Sequence, residues 1–197
     1  CNGNEEPGQR WLDVTGKSGG ITYGLTVIND AKYGYSVPAS DLRISVARSA
    51  VYAHHDPRKL DMESEHIWQD QGIQTLRMML VPHAGTWKEV NIPRIAEEFM
   101  APPVSIYQGI HGGTMPKSGS FLSVDKDNII ISTVKLSEKE DDIIIRCVET
   151  QGKASDAVID LSFAGRKWSG SFRSYEIKTL RLNRKTGEIR EVNLLEE

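Results

Sequence analysis

Cysteine is almost absent from this chain: two residues, Cys1 and Cys147, in 197. So few exclude a disulfide framework, and Cys147, inside the strand-like "IIIRCVET", reads as a buried structural thiol. Long apolar runs are missing too, none approaching the roughly 20 residues that a membrane-spanning helix needs. Neither sign of charge is in large excess. A net charge of −3 gives no electrostatic reason to expect nucleic acid or an anionic membrane as partner. The polar start, Asn2 to Arg10, lacks the apolar core of a signal peptide. The catalytic signatures that sequence can show are absent as well: no G-x-S-x-G elbow, no P-loop and no G-x-G-x-x-G.

What is present is core material arranged in short alternating runs. Hydrophobic residues make up 39% and charged ones 26%, the balance of a chain with a real core. "QRWLDVTG", "ITYGLTVIND" and "YGYSV" read as strands, and "DLRISVARSAVY" sets Leu42, Ile44 and Val46 on one face against Arg43, Ser45 and Ala47 on the other. In "GIQTLRMMLVPHAG" the alternation weakens, which predicts a strand covered on both faces. One helix is expected over 92–100. There Ile92, Ile95, Ala96, Phe99 and Met100 form a stripe, Asn91 is placed to cap, Pro102 and Pro103 stop the helix, and Glu97 and Glu98 face solvent. "YQGIHGGTMPKSGSF" has linker chemistry. After it, "NIIISTVKL" and "DIIIRCVET" flank a solvated acidic tip, "SEKEDD", and three further strand segments follow. The expected architecture is all-β: one β unit over 1–112 and a small C-terminal β-sandwich over 113–197.

Metal ligation is the first chemistry to test. His54, His55, Asp56, Asp61, Glu63, Glu65, His66 and Asp70 crowd one polar segment. Their spacing matches no zinc frame, and adjacent histidines in extended chain point opposite ways, so a solvated loop is expected. His111 beside Gly112-Gly113 is similarly unspecific. Between Gly24 and Val37, "GLTVINDAKYGYSV" breaks a strand with a polar cluster longer than a hairpin turn needs. Asn29 and Asp30 can fork onto vicinal hydroxyls, Tyr33 and Tyr35 offer aromatic faces, and Gly34 permits close backbone approach. The competing reading is an Asx turn with the tyrosines packed inward.

Four elements in order resemble one family. "NDAKYGY" (Asn29 to Tyr35), the strand from Ile44 to Ala50, "DQGIQTLRMMLVPHAG" (Asp70 to Gly85) and the helix from Ala96 to Pro103 follow the pattern of the C-terminal region of family 38 glycoside hydrolases. The resemblance is to the bacterial and cytosolic/vacuolar branch of these α-mannosidases, and the terminal "EVNLLEE" continues it. Ser36 replaces an acid of the pattern, Gln74 replaces a histidine, and the segment from Val51 to Ile73 is longer and more charged.

The resemblance implies that residues 1–112 belong to a β-supersandwich of the galactose-mutarotase-like kind. It implies hydrolysis of terminal α-linked mannose with retention, by an aspartate nucleophile and a second carboxylic acid in a preceding catalytic domain of the same polypeptide. Zinc would sit on ligands of that domain, so no catalytic or metal residue is expected here. The chain would begin inside a longer protein, with Cys1 neither a lipid anchor nor a disulfide partner, and the cytoplasm and the bacterial periplasm both remain open as compartments. Its partners would be that domain and mannose-containing glycans, with homodimerisation through the exposed inter-domain face as a further expectation. Rim candidates are Asn29, Asp30, Tyr33, Gly34 and Tyr35, then Arg48, Asp70, Gln71 and His83, for which pairing across the sheet is the alternative. An autonomous carbohydrate-binding module is a second reading, with Trp68, Trp87, Trp168 and Tyr175 as its platform material. A purely structural domain is a third.

Overall fold

Thirteen strands and one α-helix form in chain order, in a computed structural model that describes residues 4–51, 59, 61 and 63–197. The chain divides into two units, Cys1–Pro102 and Pro103–Glu197. The boundary expected at 112/113 lies inside the irregular stretch 101–122.

In the first unit the long strands β2 (Trp11–Ser18), β3 (Ile21–Asn29) and β6 (Met78–Ala84) form an antiparallel sheet in the order β2-β3-β6. Gly19 and Gly20 close the first hairpin. A smaller sheet, β1-β4-β5, joins Glu6–Pro7, Gly34–Ser36 and Arg43–Ser45. Strand β5 is shorter than the alternation from Leu42 to Val46 suggests, because β4, the strand it pairs with, is three residues long and the ladder ends with it. The segment Ile73 to Arg77 departs from expectation as well. It makes no strand, and Ile73 is 97% exposed.

Helix α1 (Ile92–Met100) forms where the stripe places it, burying Ile92 and Ala96. Asn91 stands at the cap position in a left-handed conformation (φ 55°) but makes no side-chain capping bond. The two glutamates are not simply solvated: Glu97 pairs with Arg10, and Glu98 pairs with Arg94 at 3.3 Å.

The second unit is a sandwich. Its four-stranded sheet, order β13-β12-β9-β8, comprises β8 (Ile129–Leu136), β9 (Ile143–Glu149), β12 (Ile177–Leu182) and β13 (Ile189–Val192). A three-stranded sheet, order β11-β10-β7, comprises β7 (Ser123–Val124), β10 (Ser155–Leu161) and β11 (Arg166–Phe172). Ile145, Cys147 and Leu180 from the first sheet meet Ile159, Leu161 and Phe172 from the second in one core. Cys147 is fully buried, and burial pushes its thiol pKa up to about 12, which keeps it unreactive. The acidic tip is less solvated than its sequence suggests: Asp142 is 7% exposed and accepts from Arg181 Nε at 2.8 Å.

Glu149, at the end of β9, is 1% exposed. Its carboxylate accepts from the backbone N–H groups of Gln151, Gly152 and Tyr175, each at 2.8 Å, and from Asn128 Nδ2 at 2.9 Å. Burial pushes its pKa up, but these donors outweigh that and hold it below the usual value. A carboxylate is the right acceptor here because every partner is a donor. Glu149→Gln turns one oxygen into a donor facing donors, and urea denaturation should show a loss of about 2–3 kcal/mol.

Candidate functional site

The loop between β3 and β4 is built from inside by Asn29, which is 1% exposed. Its Oδ1 accepts from the backbone N–H of Lys32 at 2.7 Å and of Ala31 at 3.2 Å, an Asx turn. Its Nδ2 donates to the Tyr35 hydroxyl at 2.6 Å, and that hydroxyl donates to the Lys32 carbonyl at 3.1 Å. Tyr35 is itself 4% exposed, and burial raises its pKa. Asn29 and Tyr35 therefore hold the loop and have no open edge for a ligand. Gly34 differs from expectation in a similar way. A Cβ there would run into the Glu5 carboxylate and Ser45, so the close approach it permits is made by the chain's own side chains.

Asp30 and Tyr33 lie on the outside. Asp30 accepts from Arg77 twice, from its backbone N–H at 2.9 Å and from its Nε at 2.7 Å. These two bonds, the backbone one first, hold its carboxyl below the usual range. The Arg77 guanidinium in turn stands 5.0 Å from the centre of the Phe99 ring, which ties the loop to α1. Tyr33 is 58% exposed, while its carbonyl is fixed by the Gly8 N–H at 2.8 Å. Lys32 extends to Gln74 Oε1 at 3.3 Å. The result is a rigid frame presenting a phenol, an ammonium and a carboxylate.

His83 lies elsewhere, on the sheet. Asp13 pairs with Thr26 across β2 and β3, and Gly24 pairs with His83 across β3 and β6, so all four share one face. His83 Nε2 is 2.7 Å from Asp13 Oδ1 and 3.3 Å from Thr26 Oγ1, and its side chain is 3% exposed. Since a carboxylate only accepts, Nε2 carries the proton. Gly24 makes room for the ring: a Cβ would stand 2.7 Å from His83 Nε2. Asp13 also accepts from Thr15 Oγ1 at 2.6 Å and Thr26 Oγ1 at 2.5 Å. Burial pushes its carboxyl up, and the hydroxyls with His83 bring it below the ordinary value. His83 is thus a cross-sheet tie in the interior.

Arg48, Asp70 and Gln71 come together at the base of the charged insertion. Asp70 Oδ2 accepts from the Arg48 N–H at 2.8 Å, Gln71 Nε2 donates to Ser49 Oγ at 2.9 Å, and Val51 bridges to Trp68. His54, His55 and Asp56 lie outside the described residues. Among the described residues no group of three His, Cys, Asp or Glu could hold a metal ion, so no zinc site is assembled from them. Two of the four aromatic candidates are taken up in packing within their own units. Trp87 packs on Trp11 at 5.2 Å and Trp168 on Phe172 at 5.9 Å, leaving Trp68 and Tyr175 exposed. Arg77, Asp13 and Thr26 carried no sequence signal, because their roles rest on register between strands distant in the chain.

Comparison with known proteins gives consistent results. The model described as "Glycosyl hydrolases family 38 C-terminal domain" matches residues 2–58, and that described as "Glycosyl hydrolases family 38 C-terminal beta sandwich domain" matches residues 128–197. The chain is 26% identical over 129 residues to alpha-mannosidase 2C1 of Homo sapiens and 25% identical over 130 residues to that of Mus musculus. Each match covers 66% of this chain and 11% of the relative. The fold recurs in the crystal structure of an alpha-mannosidase from Enterococcus faecalis V583, with a TM-score of 0.67 and 14% identity over 90% of this chain and 21% of that one. A glycosyl hydrolase family 38 protein from Enterococcus faecalis gives 0.66 and 14% over 90% and 22%. The chain therefore spans about a tenth of the curated relatives and about a fifth of the solved chains.

Asn29→Ala removes the one oxygen that accepts both turn bonds and leaves the buried Tyr35 hydroxyl without its donor. Urea denaturation should register a loss of about 1–3 kcal/mol. Asp13, with a folded pKa below its unfolded one, contributes stability above about pH 4 that is lost as pH falls through the folded value. Urea melts between about pH 3 and pH 6 should fall more steeply with acid for the wild type than for Asp13→Asn.

Proposed function

The chain belongs to glycoside hydrolase family 38 as part of its C-terminal region, and on that premise we propose that it is the non-catalytic C-terminal portion of an α-mannosidase. In this reading the whole enzyme removes terminal α-linked mannose with retention, and the nucleophile and the acid/base lie outside these residues. Zinc is assigned to ligands outside them as well, and nothing this chain does is routed through it. The chain's part is to pack on the catalytic domain and to bring the 29–35 loop to the active-site rim.

The observation that supports this is the rigidity of that loop together with its display. Asn29 and Tyr35 fix its backbone from within, and Asp30 is clamped by Arg77, yet Tyr33 is left 58% exposed. An exposed phenol held on a fixed backbone suits stacking on a sugar ring, because little conformational freedom is lost on contact.

In the full-length polypeptide, Tyr33→Ala should lower kcat/KM on an aryl α-mannoside by about tenfold while leaving the melting temperature unchanged. Unaltered kinetics would remove the loop from the rim. The 197 residues alone should turn over no aryl α-mannoside, and turnover by them would end the reading of this portion as non-catalytic.

A further inference from the structure

Strand β3 carries its residues on the wrong sides for a sheet with one face in water. Thr22, Gly24 and Thr26 share the face occupied by Asp13 and His83, and Thr26 is fully buried. Ile21, Tyr23 and Leu25 point the other way and are 66, 50 and 40% exposed. Leu12 and Val14 of β2 share this second face, as do Leu80 and Pro82 of β6, and Leu80 is 65% exposed. None of the three strands places a charged residue there; Asp13, Lys17 and His83 are all on the opposite face. A sheet that buries Asp13, Thr26 and His83 on one face and bares Ile21, Tyr23 and Leu80 on the other is a layer lacking one neighbour.

At one end the neighbour is present. Val27 and Asn29, on the same face, are 4 and 1% exposed, and the Tyr35 hydroxyl is bonded to Asn29. The cover then stops, and Leu25, Tyr23 and Ile21 continue the face uncovered. We infer that this face is an interior seam, closed by an apolar, uncharged layer that the rest of the longer polypeptide supplies. The inference rests on the proposed membership of a larger enzyme. The solved chains that share this fold leave nearly four-fifths of their length outside the match, ample to provide such a layer. A glycan or a charged partner does not suit the face, which offers them no ionic group and no polar side chain beyond Ser18, Asn29 and the Tyr23 hydroxyl.

Hydroxyl-radical footprinting of the wild-type full-length polypeptide, read at Tyr23 and Leu80, tests this without any substitution. Relative to the same polypeptide unfolded in urea, modification of both should fall at least about tenfold, at every protein concentration. Protection of less than about threefold, as a half-exposed ring would show, overturns the proposal. Protection that disappears on dilution as the mass halves also overturns it, because it assigns the face to a second copy. α-Mannosidase activity measured on the same preparation separates the two readings. Inactive protein with Tyr23 protected removes the functional assignment alone, and active protein with Tyr23 exposed removes the seam alone.

Discussion

The first unit depends on what β3 has to satisfy. It is the middle strand of β2-β3-β6, so both of its edges are paired and its side chains alternate between the two faces. On one face the packing is polar: Thr26 and the space over Gly24 admit the Asp13 carboxylate and the His83 imidazole, whose Nε2 stands 2.7 Å from it. A buried carboxylate alone would cost several kcal/mol; with two hydroxyls and an N–H around it, its charged form is instead favoured. The strand's last residue, Asn29, then starts the loop from a fully buried position. Sheet and loop are thus one construction, because the residue that ends the ladder also nucleates the turn.

The same economy governs the second unit. Glu149 ends β9 and gathers N–H groups from two connecting segments, while Arg181 reaches Asp142 and the Glu196 carbonyl. In both units a buried polar side chain at a strand end organises the connections, and the apolar residues fill the layers. The cost of burial is met because each such group is surrounded by complementary partners.

The same packing decides what is left outside. An interior asparagine and tyrosine fix the 29–35 loop, so the exposed Tyr33 is displayed on a stiff support. Asn29 and Tyr35 are taken up by that packing. Asn29, Gly34 and Tyr35 are the frame, and only Asp30, Tyr33 and their neighbour Lys32 face outward, Asp30 already engaged with Arg77.

Alternation and composition by themselves determined the β class, the helix over 92–100 and the burial of Cys147, since each depends on neighbours a few residues away. The ordered motifs were enough to reach the family. The tertiary structure alone decided the roles of the loop residues. Asn29 could have faced sugar or its own backbone, and its bonds to the Lys32 N–H at 2.7 Å and the Tyr35 hydroxyl at 2.6 Å turn it inward. His83 could have been a surface ligand until register set it over Gly24 beside Asp13, 70 residues away. Such pairings join strands far apart in the chain, and no local pattern encodes which distant residue will complete a polar group's hydrogen bonds.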